Sequence, residues 1–161
     1  MERIVLLAGL PGVGKSTIAR KIAATEGGRI LDLDDYKREA VDSALVTSQI
    51  DPPEVRWAYY ERALDHAFTL DGTVIMDEVF HLHALRARLE EACVARGVQV
   101  RWIEVRCPYP IVEGRLRAKA RVGHILSTDE ALAMYRLFEE IFETFPEGKE
   151  NHTVVHNTES P

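Results

Sequence analysis

The chain of 161 residues carries a net charge of −6, with 46% hydrophobic and 29% charged side chains. That length fits one domain around one core, and the balance is that of an ordinary folded chain rather than a disordered one. An acidic chain whose two cysteines, Cys93 and Cys107, stand in unrelated contexts is not built to bind nucleic acid through a broad basic face, nor on a disulfide framework or a zinc site. No apolar run approaches the length of a membrane-spanning helix, and the run 4–8 is too short for a signal-peptide core. The expectation is a cytoplasmic protein with no membrane partner.

In chain order, the run 4–8 predicts a strand buried on both faces. Ile18, Ala19, Ile22 and Ala23 place a helical stripe over 16–24, ended by Gly27 and Gly28. A second strand follows over 29–33 and a helix over 34–44. Asp51-Pro52-Pro53-Glu54 reads as a helix start, with Asp51 as N-cap and the helix running to about residue 70. Asp71-Gly72 is a turn before a third strand, 73–76, which ends in Asp77-Glu78. A helix over 81–96 stops at Gly97, and a fourth strand spans 98–105. Pro108 and Pro110 open a helix to about residue 121. Ser127-Thr128-Asp129-Glu130 is a capping box for a helix whose Leu132, Tyr135, Leu137, Phe138, Ile141 and Phe142 are expected to face inward. A short last strand covers 153–156. Such alternation gives an α/β fold, a three-layer sandwich around about five parallel strands, as a single domain over 1–161. Ligands then lie at the carboxyl ends of the strands, which gathers the loops after residues 8, 33 and 76.

Gly9-Leu10-Pro11-Gly12-Val13-Gly14-Lys15-Ser16 satisfies G-x-x-x-x-G-K-[ST] between a strand and a helix. The glycines let the backbone of residues 9–14, Val13 included, curl so that its N–H groups converge on phosphate oxygens, and the helix adds its positive end. Lys15 is expected to reach the β- and γ-phosphates of a nucleoside triphosphate such as ATP, Ser16 to ligate Mg²⁺, and Thr17 to meet the α-phosphate. Asp77, closing the run Val74-Ile75-Met76, fits the second Mg²⁺ position. Glu78 either polarises a water or caps the next helix.

Leu31-Asp32-Leu33-Asp34-Asp35-Tyr36 brings carboxylates to the end of the second strand, where alternation puts Asp32 and Asp34 on one face. A carboxylate there can orient an acceptor hydroxyl and take its proton. Asp34 is the candidate base and Asp35 the helix cap, although the sequence leaves open which of the two is the base.

These motifs, with Lys37, Arg38 and a later arginine segment, resemble the small P-loop kinases that include the kinase domain of bacteriophage polynucleotide 5′-hydroxyl kinase. The resemblance covers most of the chain but not residues 41–57. It implies an ATP-dependent phosphotransferase with Asp34 as general base. Lys37 stands where the phage enzyme has arginine, and with Asp35 and Arg38 it falls on the acceptor side. The resemblance also implies a short helical lid over about 115–127. There Arg115 packs on adenine, Arg121 meets the transferring phosphate, and residues 121–124 form the turn that closes. The competing reading of Arg115, Arg117, Lys119 and Arg121 is a solvated helix face. Asn157, after the closing strand, is placed beside the base.

Trp57, Tyr59 and Tyr60 fit core at helical spacing better than a stacking platform. The two-residue spacing of His81 and His83 puts them on different helix faces and argues against a metal. A kinase is the leading expectation, and the absence of N-K-x-D for guanine argues against a GTPase. Its acceptor is unknown, a small molecule being favoured over nucleic acid by the acidic charge. A small ATPase and a non-catalytic nucleotide-binding module are the alternatives.

Overall fold

The computed structural model describes residues 1–42, 50–118 and 127–159. In chain order the elements are β1 (Arg3–Ala8), α1 (Lys15–Glu26), β2 (Arg29–Asp32), α2 (Leu33–Asp42), α3 (Pro53–Phe68) and β3 (Thr73–Glu78). They continue with α4 (His83–Val94), β4 (Gln99–Arg106), α5 (Tyr109–Ala118), α6 (Thr128–Ile141) and β5 (His152–His156). The strands form one sheet in the order β2-β3-β1-β4-β5, and every neighbouring pair is parallel. The α/β fold expected from the sequence is the one observed.

Period-two alternation divides the strand side chains between two cores. Ile4, Leu6, Val74, Met76 and Trp102 pack on one face with Tyr59, Tyr60 and Leu64 of α3. Val5, Leu7, Ile75, Ile103 and Val105 pack on the other with Ala19 and Ile22 of α1. Ile4, Val5, Leu6 and Leu7 are each 0% exposed. At roughly 2 kcal/mol per buried side chain, these four contribute about 8 kcal/mol before entropy. That is comparable to the whole net stability of a typical domain, roughly 5–15 kcal/mol. The loop after β1 therefore stands on the most firmly held strand of the sheet.

Trp57, Tyr59 and Tyr60 are core, as their spacing implied. The capping box at Ser127 is formed in both directions. Three expectations are corrected. Leu137 and Ile141 are exposed rather than inward, because α6 packs through Ala131, Leu132, Tyr135 and Phe138. β2 stops at Asp32 and Leu33 already opens α2, so Asp34 lies in a helical first turn and not on a strand face with Asp32. Asp51 is not the cap of α3, whose N-cap is Pro52.

Asp51 is instead buried, with Oδ2 2.8 Å from Lys37 Nζ, tying α2 to the approach of α3. Its carboxylate would be left buried without Lys37, and the reverse holds in part. Asp51→Ala is therefore expected to cost about 3 kcal/mol of unfolding free energy, read as a lower urea midpoint at unchanged slope. A loss under about 0.5 kcal/mol, the scale of an exposed pair, would contradict the structural role.

Candidate active site

Residues 9–14 join β1 to α1, and two glycines have steric reasons to be glycine. A Cβ on Gly9 would lie 2.5 Å from the carbonyl oxygen of Val105, so only a bare backbone lets the loop pass the end of β4. Gly14 sits at φ 96° directly before the first turn of α1, and a Cβ there would lie 2.1 Å from Asn157 Nδ2. The amide end of α1 opens toward the loop, a geometry that favours anions.

Two side chains complete this side. Lys15 Nζ donates to the carbonyl oxygens of Gly9 at 2.9 Å and Leu10 at 3.1 Å, so its charge folds back over the loop. Ser16 Oγ donates to Asp77 Oδ2 at 2.8 Å, joining α1 to the end of β3. Burial raises the Asp77 carboxyl above its ordinary range, against the pull of Lys15 and the Ser16 hydrogen bond. A hydroxyl and a carboxylate meeting beside such a loop are the hard oxygen donors that suit Mg²⁺, which takes few protein ligands and completes its shell with water and phosphate. No group of three or more acidic, histidine or cysteine side chains fit to hold a metal occurs among the described residues. Thr17 Oγ1 accepts from Arg20.

A second group of carboxylates stands at the neighbouring strand ends. Asp32 pairs in register with Asp77, and Asp32 Oδ1 accepts the backbone N–H of Asp34 at 2.9 Å. Asp32 thus bonds the first turn of α2, the role expected of Asp35. Asp35 is exposed and pairs with Arg38 one turn on. Burial first, then the charges of Glu78 and Asp32, push the Asp34 carboxyl up to about 6, opposed by Arg38 and Lys37. Lys37, assigned to the acceptor side from the sequence, has its ammonium in the ion pair with Asp51. Glu78 Oε1 accepts the N–H of Val79 at 2.7 Å and lies 3.7 Å from Arg56 Nη1. His81 is buried with its ring edge on Phe138, and burial, aided by Arg56, lowers it to about 4, so it is neutral near pH 7.

On the far side of the loop, Arg115 of α5 donates to the Val13 carbonyl, to Asn157 and to the backbone of Glu159. Its N–H groups engage the loop and the chain after β5, so the adenine packing implied for it would have to use the guanidinium face. Arg121, Lys119 and the turn 121–124, the centre of the expected lid, lie outside the described residues.

A family model described as an AAA domain matches residues 4–141. The chain belongs to this AAA-domain family. It is 30% identical over 166 residues to a shikimate kinase of Corynebacterium efficiens, covering 98% of this chain and 89% of that one. Among solved structures, a gluconokinase from Sinorhizobium meliloti 1021 matches with a TM-score of 0.68 at 16% identity, covering 98% of this chain and 83% of that one. A sugar kinase from Janibacter sp. HTCC2649 matches with a TM-score of 0.70 at 20% identity, covering 97% of this chain and 86% of that one. At those identities the two structures bear on the fold.

Sequence reasoning missed one residue beside these carboxylates and one contact of a residue that it did name. Arg56 is 2% exposed on α3, with Nη1 3.2 Å from Tyr59 Oη and its guanidinium over the Phe138 ring. The signal was present, an arginine amid three aromatic residues, but two of its partners, Glu78 of β3 and Phe138 of α6, meet it only in the fold. The engagement of Asn157 with the loop is the other. No helix of the described residues is long and apolar enough to cross a membrane.

Proposed function

We propose that this AAA-domain protein is an ATP-dependent kinase that moves the γ-phosphoryl group of ATP onto a hydroxyl of a small-molecule acceptor. The observation that carries the reading is the juxtaposition at adjacent strand ends of a phosphate cradle with its Ser16–Asp77 pair and of Asp34. The register pairing of Asp32 with Asp77 sets their spacing. The backbone of residues 9–14 and Lys15 hold the phosphates. Ser16 and Asp77 would hold Mg²⁺, which would supply neutralisation of the phosphate charge. Asp34 accepts the proton of the acceptor hydroxyl while that oxygen bonds to the γ-phosphorus. The bond from the γ-phosphorus to the bridging oxygen breaks in line, and ADP leaves.

Charge favours a small acceptor over a polynucleotide. The net charge is −6, and Asp32, Asp34, Asp77 and Glu78 cluster at the strand ends, a poor surface for a polyanionic strand. The names of the relatives, shikimate kinase and sugar kinase, support the same class. Glu78 is engaged by Val79 and Arg56, which favours transfer to an acceptor over activation of water. Incubation with γ-labelled ATP and a panel of shikimate, gluconate, simple sugars and a 5′-hydroxyl oligonucleotide tests the proposal. Label is expected on a small polyhydroxylated molecule. Label on the oligonucleotide alone, or release of orthophosphate alone, would refute it.

The carboxyl of Asp34 must be ionised to take a proton. With that group at about 6, kcat/KM is expected to be flat above pH 7 and to fall about tenfold per pH unit well below 6. A pH–rate profile with no acid limb between pH 5 and 7 would exclude Asp34 as the base.

A further inference from the structure

We infer that Asn157 is a positioning residue of the phosphate cradle, which fixes the peptide between Val13 and Gly14 so that the Gly14 N–H points at the bound phosphates. The inference rests on the kinase reading in so far as the loop binds a triphosphate. Asn157 is the first residue past β5 and is 7% exposed. A buried amide side chain is costly unless its groups are hydrogen-bonded, and here they are. Nδ2 donates to the carbonyl oxygen of Val13 at 3.0 Å, and Oδ1 accepts from Arg115 Nη2 at 3.4 Å. The backbone N–H of Asn157 donates to the Arg106 carbonyl at 2.8 Å, which anchors the residue to the end of β4.

The Val13 carbonyl therefore receives two donors from outside the loop, Asn157 Nδ2 and Arg115 Nη1 at 3.3 Å. The chain has no cis peptide bond among the described residues. In a trans peptide the C=O and the following N–H point in opposite directions within one plane. Holding the Val13 oxygen toward β5 and α5 turns the Gly14 N–H away from them, into the curl of the loop. Residue 14 must be glycine for this contact, since a Cβ would lie 2.1 Å from Asn157 Nδ2. The geometry gives Asn157 a task on the phosphate side, distinct from contact with the adenine base.

The two tasks separate by ligand. Tripolyphosphate has the phosphates of ATP and no base. Calorimetric titration of the whole chain with Mg²⁺ and either ATP, GTP or tripolyphosphate is compared for the native protein, Asn157→Ala and Asn157→Asp. Asn157→Asp keeps the side-chain volume and the acceptor for Arg115 while removing the donor to Val13, so the comparison survives if the alanine variant does not fold. Both variants are expected to weaken ATP and tripolyphosphate by the same factor, about tenfold. The preference between ATP and GTP, and KM for the acceptor, should not move. Unchanged tripolyphosphate binding, with or without weaker ATP binding, would overturn the inference and leave the kinase reading intact. A native protein that binds neither ligand would overturn both.

Discussion

Lys15→Ala is expected to lower kcat/KM for ATP by a thousandfold or more. That factor corresponds to roughly 4 kcal/mol of transition-state stabilisation, and the magnitude follows from where the charge sits. Lys15 is the first residue of α1, so its stem is fixed while its ammonium reaches over the loop to the Gly9 and Leu10 carbonyls. A unit charge about 4 Å from a phosphate oxygen in a partly buried site interacts by roughly 4 kcal/mol at an effective dielectric near 20. The charge follows the phosphoryl group as it separates, so the loss falls on kcat as well as on binding. The fold should tolerate the change, because at a partly exposed site water can replace the Lys15 hydrogen bonds to the Gly9 and Leu10 carbonyls. Steady-state kinetics together with thermal unfolding checks both halves. A loss under tenfold would remove Lys15 from the mechanism, and a loss accompanied by unfolding would leave the cradle assignment without support from this variant.

Asp34→Asn is expected to reduce kcat by a hundredfold to ten-thousandfold, the usual range for a lost general base, with ATP affinity unchanged. It should also make the protein more stable near pH 8. The Asp34 carboxyl titrates at about 6 in the folded chain against an ordinary 3.8. The folded state thus binds this proton more tightly than the unfolded state. Stability falls as pH rises through that window and stays lower above it. Asparagine carries no such penalty. After discounting for solvent screening at a partly exposed group, the gain is about 1–2 kcal/mol. Activity and stability moving in opposite directions would mark a carboxylate held in place for chemistry. Equal turnover in the variant would remove Asp34 from the reaction, and a loss of stability would mean that it is structural.

The legible part of this molecule was local. Nine consecutive residues, 9–17, carry the loop motif, and its expected place between a buried strand and a helix is the one that β1 and α1 give it. β1 and β3 were legible for a related reason, since a strand covered on both faces reads as an unbroken apolar run. What escaped depends on contacts far apart in sequence. Asp51 preceded two prolines and so looked like a cap, whereas its partner Lys37 comes from the preceding helix and the pair is buried by packing. Asp34 was assigned from strand alternation, yet the chain is helical from Leu33, whose side chain enters the core at 1% exposure. Asn157 and Val13 are 144 positions apart, and only parallel pairing of β5 with β4 brings them together. Leu137 and Ile141 fitted an apolar stripe wider than the one α6 buries.

A crystal structure grown with Mg²⁺ and a non-hydrolysable ATP analogue tests the central claim most directly. The phosphates are expected within the curl of residues 9–14, with Lys15 on the terminal pair. The metal should lie between Ser16 and Asp77, and the last phosphate should face Asp34 with room for one hydroxyl between them. A nucleotide seated away from that loop, or one whose terminal phosphate turns from Asp34, would contradict the account.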